Sequence, residues 1–168
     1  MPIPSDSSGL SAAQLEVWAS VATLLERLPA ALDAQLQRDS GLTHFEHGIL
    51  FALDSAHERT LRMSTLAGFA SSTLSRLSRA ISRLERKGLV RREVAPDDGR
   101  VTLAVLTDAG HETVVQSTPA HHALVERLVF ESLTPQQVRQ LGVIAGRLAR
   151  AVDPADAWSP GEDRVTSA

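Results

Sequence analysis

Apolar positions recur along this chain at two periods, and the change from one to the other divides it. Across residues 11–38, Leu15, Trp18, Val21, Leu25, Leu32 and Leu36 return every three, four or seven residues, the spacing of one helix face. Pro29 falls inside that stripe, where its missing N–H and bulky ring predict a kink. Gly41 stands where a left-handed cap would end the helix. A second helix is expected over 43–53, followed by a polar loop with His57, Glu58 and Arg59, an extended piece over 60–63 and a short helix over 64–70. Thr73 opens a further helix that ends near Lys87, before Gly88. The period then drops to two: residues 89–94 and 101–106 alternate as strands around Pro96-Asp97-Asp98-Gly99, a turn sequence. Thr107 opens a long helix, interrupted at Pro119 and resuming to about Ser132. The last helix spans 134–152 and carries Val138, Leu141, Ile144, Ala145 and Leu148 on its apolar face.

Helix starts are legible for a chemical reason. Ser11 with Gln14, Thr43 with Glu46, and Thr134 with Gln137 each fit a reciprocal cap, in which a hydroxyl and an amide or carboxylate satisfy backbone N–H groups that the first turn leaves orphaned. Pro135 strengthens the third, because the first helical position has no use for an N–H.

Composition narrows the picture. The chain has 168 residues, enough for one domain with a dimerisation layer, and aromatics are only 4%, so Leu, Val, Ile and Ala must build the core. A chain this long buries roughly 70% of its unfolded surface and needs no metal or disulfide staple. There is no cysteine, which excludes thiol redox sensing and thiolate metal sites. The start of the chain is polar and no apolar run approaches a membrane span, so a soluble, cytoplasmic protein without a membrane partner is expected. Cofactor glycine motifs, a nucleophile elbow and metal-protease spacings are absent from the sequence, and neither an enzyme nor a cofactor is expected.

Charge sharpens the expectation. The whole chain carries −3, yet between Ser72 and Arg100 eight basic residues face four acids. That window is therefore +4 and the remainder −7, a focused field of the kind that meets a polyanion. On a helix advancing about 100° per residue, Leu74, Leu77, Ile81 and Leu84 share one side, while Arg76, Arg79 and Arg83 cluster away from it with the hydroxyls of Ser75 and Ser82. The planar guanidinium fork suits guanine edges and phosphates. A charged outer face is ordinary on any amphipathic helix; the preceding short helix and turn, and the hairpin that follows, favour DNA reading here. Asp98 and Arg100 lie two apart on a strand, hence on one side. The carboxylate can hold the guanidinium ready for a narrow minor groove, or the pair can simply protect a sheet edge.

The segment LAGFASSTLSRLSRAISRLERKGLVRREVAPDDGRVTLAVLTDAG, residues 66–110, closely resembles the MarR family of bacterial transcription regulators. The matching features are Leu66-Ala67, Ser78-Arg79, Arg83-Leu84-Glu85, Lys87-Gly88-Leu89-Val90, the Asp-x-Arg wing at Asp98 and Arg100, and Leu106-Thr107-x-x-Gly110. One departure is Gly99, where the family often has an Arg. The resemblance implies a mainly α fold with a small β-hairpin wing: a winged helix-turn-helix over 41–106 and a helical dimerisation layer from 11–40 and 107–152. Residues 1–10 would be a flexible N-terminus and 153–168 a disordered tail.

The resemblance also implies an obligate homodimer on a palindromic double-stranded DNA operator, with half-sites roughly 10 bp apart. Thr73, Ser75, Arg76 and Arg79 would face bases or phosphates, Arg83 would serve there or pair with a carboxylate, Arg100 would enter the minor groove, and Asp98 would position it. A small aromatic or anionic effector between the dimer layer and the winged domain would release the DNA, with Trp18, Phe45, Phe51, His44 and His47 as candidate lining residues that also sit on core-spaced stripes. Two alternatives stay open: a zinc-responsive regulator of the same fold, using the histidines, and a winged-helix protein-interaction adaptor.

Overall fold

The computed structural model of the chain describes residues 9–152. The expected reading of 153–168 and of most of 1–10 lies outside them. Helix α1 (Ala12–Ser40) is capped by Ser11 through the reciprocal bonds with Gln14 and closed by Gly41 at φ 66°. It runs unbroken through Pro29. Helix α2 (His44–Ser55) begins with the second box, Thr43 and Glu46. A single tight turn, His57–Arg59, leads into β1 (Thr60–Arg62), then α3 (Met63–Phe69) and α4 (Leu74–Arg86). Strands β2 (Val90–Ala95) and β3 (Asp98–Leu106) follow, then α5 (Asp108–Val125), a π-turn (Glu126–Phe130) and α6 (Pro135–Val152).

Three details differ from the sequence expectation. The extended piece before α3 is a true edge strand, pairing antiparallel with β3 in the order β1-β3-β2, with Leu61 opposite Ala104. Its partner lies more than forty residues away, which no local pattern reveals. The hairpin tip is Pro96-Asp97, because Ala95 pairs with Asp98, so Asp98, Gly99 and Arg100 belong to the strand. The long helix is not interrupted at Pro119; its irregularity comes at 126–130, where the hydrogen-bonding loosens to a π-turn. Packing of α5 against α1 and α2 holds the helix through the proline.

The core lies between α2, α3, α4 and the sheet. Leu42, Ile49, Leu50, Leu53, Leu66, Leu77, Ile81 and Leu84 are fully buried, with Val90, Ala104 and Leu106 supplied by the strands. Only the C-terminal half of α1 contributes to burial, through Leu32, Gln35 and Leu36, while Leu15, Trp18, Leu24 and Leu25 stay exposed. Helix α6 buries none of its residues; Leu141, Val143, Ile144 and Leu148 all face outward. Among the described residues, no helix is long and apolar enough to cross a membrane.

Candidate nucleic-acid interface

Helix α4 is the basic helix, and its three faces do different work. Thr73 caps it by accepting a hydrogen bond from the Arg76 N–H, and Gly88 ends the following turn at φ 73°. Leu77, Ala80, Ile81 and Leu84 are buried; Leu74, expected with them, is 56% exposed because it sits at the open first turn. Opposite that buried face, the helical rotation places Ser75, Arg79 and Arg86, all exposed to solvent. Arg76 and Arg83 lie on the flank toward α2. The Arg76 guanidinium stacks 4.3 Å above the Phe45 ring, and Arg83 donates from Nε to Glu46 Oε1 at 2.7 Å. Among the described residues no carboxylate lies within ion-pair distance of Arg76, Arg79 or Arg86.

Glu46 ties this helix to the rest of the domain. Its carboxylate closes the α2 capping box, receives Arg83, and lies 3.8 Å from Lys87 Nζ, which itself donates to the Gly41 carbonyl. Burial opposes the charge, but the Arg83 hydrogen bond, the Thr43 N–H and the cationic charges of Lys87 and Arg83 outweigh it, holding the carboxyl below its usual range.

In the wing, the Arg100 backbone N–H donates to Asp98 Oδ1 at 3.0 Å and its Nε donates to the same oxygen at 3.3 Å. The Arg100 side chain is 92% exposed. Asp98 therefore orients a guanidinium that is otherwise exposed to solvent, as expected from the two-residue spacing on a strand. The window's basic charge is unevenly spent: Arg91 pairs with Glu93 and Arg92 with Glu85. Open charge is left on α4 and at the wing.

Where Pro29 and Asp33 of α1 approach Thr43, His44 and Phe45 at the start of α2, a cleft of about 610 Å³ opens, closed on the other side by Ala70, Arg76, Arg79 and Arg83. Phe45 and His44, two of the expected lining residues, are in it. Trp18 is not, standing exposed on α1, and Phe51 lies further along α2 beside His47 and His122. His47 is 4% exposed, 4.8 Å from His121 ring to ring, with no partner for Nε2. Burial, and after it the imidazoles of His121, His44 and His122, push its pKa down to about 4. Burial and the neighbours His44 and His122 lower His121 as well. Of the adjacent pair, His121 faces into this cluster and donates from Nδ1 to Gln35 Oε1 at 3.3 Å, while His122 sits at its edge. Among the described residues, no group of three or more His, Asp or Glu side chains is arranged to hold a metal ion.

Two roles that the sequence reasoning missed matter to the geometry: Glu46, expected only as a cap, also holds Arg83 and Lys87, and Arg92 bridges β2 to α4. Arg92 had a signal: counting in twos from buried Val90 puts it on the inward side of β2, where a charge requires a partner.

A family model described as the MarR family matches residues 40–101. Among solved structures, the chain is similar to Sco3205, a MarR family transcriptional regulator from Streptomyces coelicolor crystallised in complex with DNA. The two are 41% identical, the match covers 90% of this chain and 94% of that one, and the TM-score is 0.87. Among curated proteins it is similar to the HTH-type transcriptional regulator YdcH of Bacillus subtilis, 32% identical over 80 residues, which is 46% of this chain and 54% of YdcH. It is also similar to the HTH-type transcriptional repressor IacR of Pseudomonas putida, 29% identical over 93 residues, 55% of this chain and 54% of IacR. The chain thus spans about half the length of these two curated relatives.

Proposed function

This chain belongs to the MarR family, and from that premise we propose that it is a transcriptional repressor that binds duplex DNA as a homodimer on a palindromic operator and leaves it when a small aromatic or anionic effector binds. The observation that carries the reading is the open charge: Arg79 on the outward face of α4 and Arg100 on strand β3 of the wing, each exposed to solvent. Thr73, Ser75, Arg76 and Arg79 are assigned to the major groove and its phosphates, and Arg100, held by Asp98, to the minor groove. The Arg83–Glu46 bond supports an anchoring role for Arg83, fixing the helix rather than reading bases. Sco3205, similar along most of both chains, was crystallised with DNA, and IacR is named a repressor.

The unburied apolar faces of α1 and α6 support the dimer, because apolar patches of that extent rarely stay in water. The cleft between α1, α2 and α4 supports the effector: Phe45 and Pro29 offer apolar surface, and the guanidiniums of Arg76 and Arg79, which have no carboxylate partner among the described residues, offer a counter-charge for a carboxylate.

Fluorescence anisotropy with a labelled duplex from the gene's own upstream region, against a scrambled duplex, tests the reading. Selective binding is expected, weakening with salt at a log–log slope of about −7 if the dimer neutralises about eight phosphates. Benzoate, as a probe acid, should release the duplex and raise Tm. Indifference to every duplex at low salt would turn the assignment to a protein-interaction adaptor.

A further inference from the structure

Beyond residue 92 the wing is nearly free-standing. The base of the hairpin is fixed by Val90, Ala104 and Leu106 in the core and by the pairing of β1 with β3. Val94, two residues past Arg92 on the same side of β2, is already 64% exposed. Arg92 stands at the boundary, opposite Ala104 in the register, and every donor the structure gives it points at α4. Its backbone N–H donates to Glu85 Oε1 at 3.0 Å and Nη1 bonds Glu85 Oε2. Nη2 donates to the Ser78 carbonyl at 2.8 Å, the Ser78 hydroxyl at 3.2 Å and the Ser82 hydroxyl at 3.1 Å. Positions 78, 82 and 85 are spaced by four and three, so they form one stripe running two turns along the helix. A rigid planar fork laid along such a stripe fixes both a distance and an angle; a lysine ammonium, gripping as a single point, would fix neither.

We propose that Arg92 is a positioning residue that sets the spacing between helix α4 and the wing, so that the helix and Arg100 engage the two grooves together. This rests on the DNA-binding reading above. Arg92 does not itself touch DNA in this account, because its guanidinium is spent on Glu85 and the two serines. Its contribution is to stop the wing from pivoting about its base, which would place Arg100 off the groove in most encounters.

Arg92→Ala and Arg92→Lys, each alone and combined with Arg100→Ala, test this by a double-mutant cycle on a selective duplex. In the parent, Arg100→Ala should weaken binding about tenfold or more. In either Arg92 background the same change should cost less than about twofold, since a wing that swings gains little from its arginine. Ser78→Ala with Ser82→Ala removes two of the grips without touching any charge and should lower the cost of Arg100→Ala in the same direction, which guards against an Arg92 variant that fails to fold. Arg92 and Arg100 effects that simply multiply would overturn the proposal and leave Arg92 a stabilising residue only. A second readout needs no DNA: residual dipolar couplings should fit β2, β3 and α4 as one rigid body in the parent and as two in Arg92→Ala. If the parent binds no duplex, the DNA reading fails separately, and a single rigid body in Arg92→Ala would sink the positioning role on its own.

Discussion

At the scale of single residues, buried ionisable groups make stability depend on pH, and His47 and Glu46 do so in distinct ways. His47 is neutral in the fold, its pKa pushed down to about 4, whereas an unfolded chain would protonate it near 6.5. The unfolded state therefore binds the extra proton first as pH falls from about 6.5, and the native state loses stability until about pH 4. At 1.36 kcal/mol per unit the loss approaches ~3 kcal/mol. Urea melts at pH 7.5 and 5.0 should show it, and His47→Leu should shrink the difference; equal differences in both proteins would contradict the assignment. Glu46 works in the opposite sense of charge. Its lowered carboxyl pKa means that its stabilisation is present above the unfolded carboxylate range and is lost as pH falls through the lower folded value. Glu46→Gln keeps a group that can close the cap but leaves Arg83 without its counter-charge. A loss of about 1–3 kcal/mol is expected at pH 7, measured by denaturant midpoint, and the penalty should fade in acid.

At the scale of elements, the joint between the wing and α5 is closely packed. Thr107 donates its hydroxyl to the Gly88 carbonyl at 2.7 Å while accepting from the Gly110 N–H at 3.0 Å, so one side chain both caps α5 and pins it to the end of α4. A Cβ on Gly110 would meet the Leu89 carbonyl oxygen at 2.2 Å and a Leu106 methyl at 2.6 Å. This explains in steric terms why a glycine follows the threonine three residues on. Gly110→Ala should destabilise by about 1–3 kcal/mol, since backbone rather than a flexible side chain must yield. A melting temperature equal to the parent's would show that α5 can slide away freely.

At the scale of the whole molecule, the described residues form a winged domain with a buried core and a helical layer whose apolar side chains are largely exposed. The face of α6 carrying Leu141, Ile144 and Leu148 and the N-terminal half of α1 expose contiguous apolar side chains, the kind of patch that a partner surface covers. With a second copy as the partner, Ile144→Glu should place a charge in the apolar contact between copies. Sedimentation velocity is expected to shift from dimer toward monomer, with DNA affinity falling together with it because one wing must then bind alone. An unchanged sedimentation coefficient would place the partner surface elsewhere.

The sequence by itself determined the elements and the chemistry of their ends. Capping hydroxyls, the glycines after α1 and α4, and the two-residue alternation of the wing act within a few residues, so their physics is written locally. It also suggested Asp98 as the partner of Arg100 from their two-residue spacing, though the strand that carries both begins at Asp98 only in the folded hairpin. Tertiary structure decided what depends on distant neighbours. Strand β1 is a strand only because β3 offers it hydrogen-bonding partners, and α5 passes through Pro119 because α1 and α2 hold it. The same holds for charge. The sequence made Arg76, Arg79 and Arg83 alike, but packing against α2 set Arg76 on an aromatic ring and Arg83 on a buried carboxylate, and left Arg79 open to solvent. Which arginine is free is a property of what packs beside it, and that is fixed only when the chain has folded.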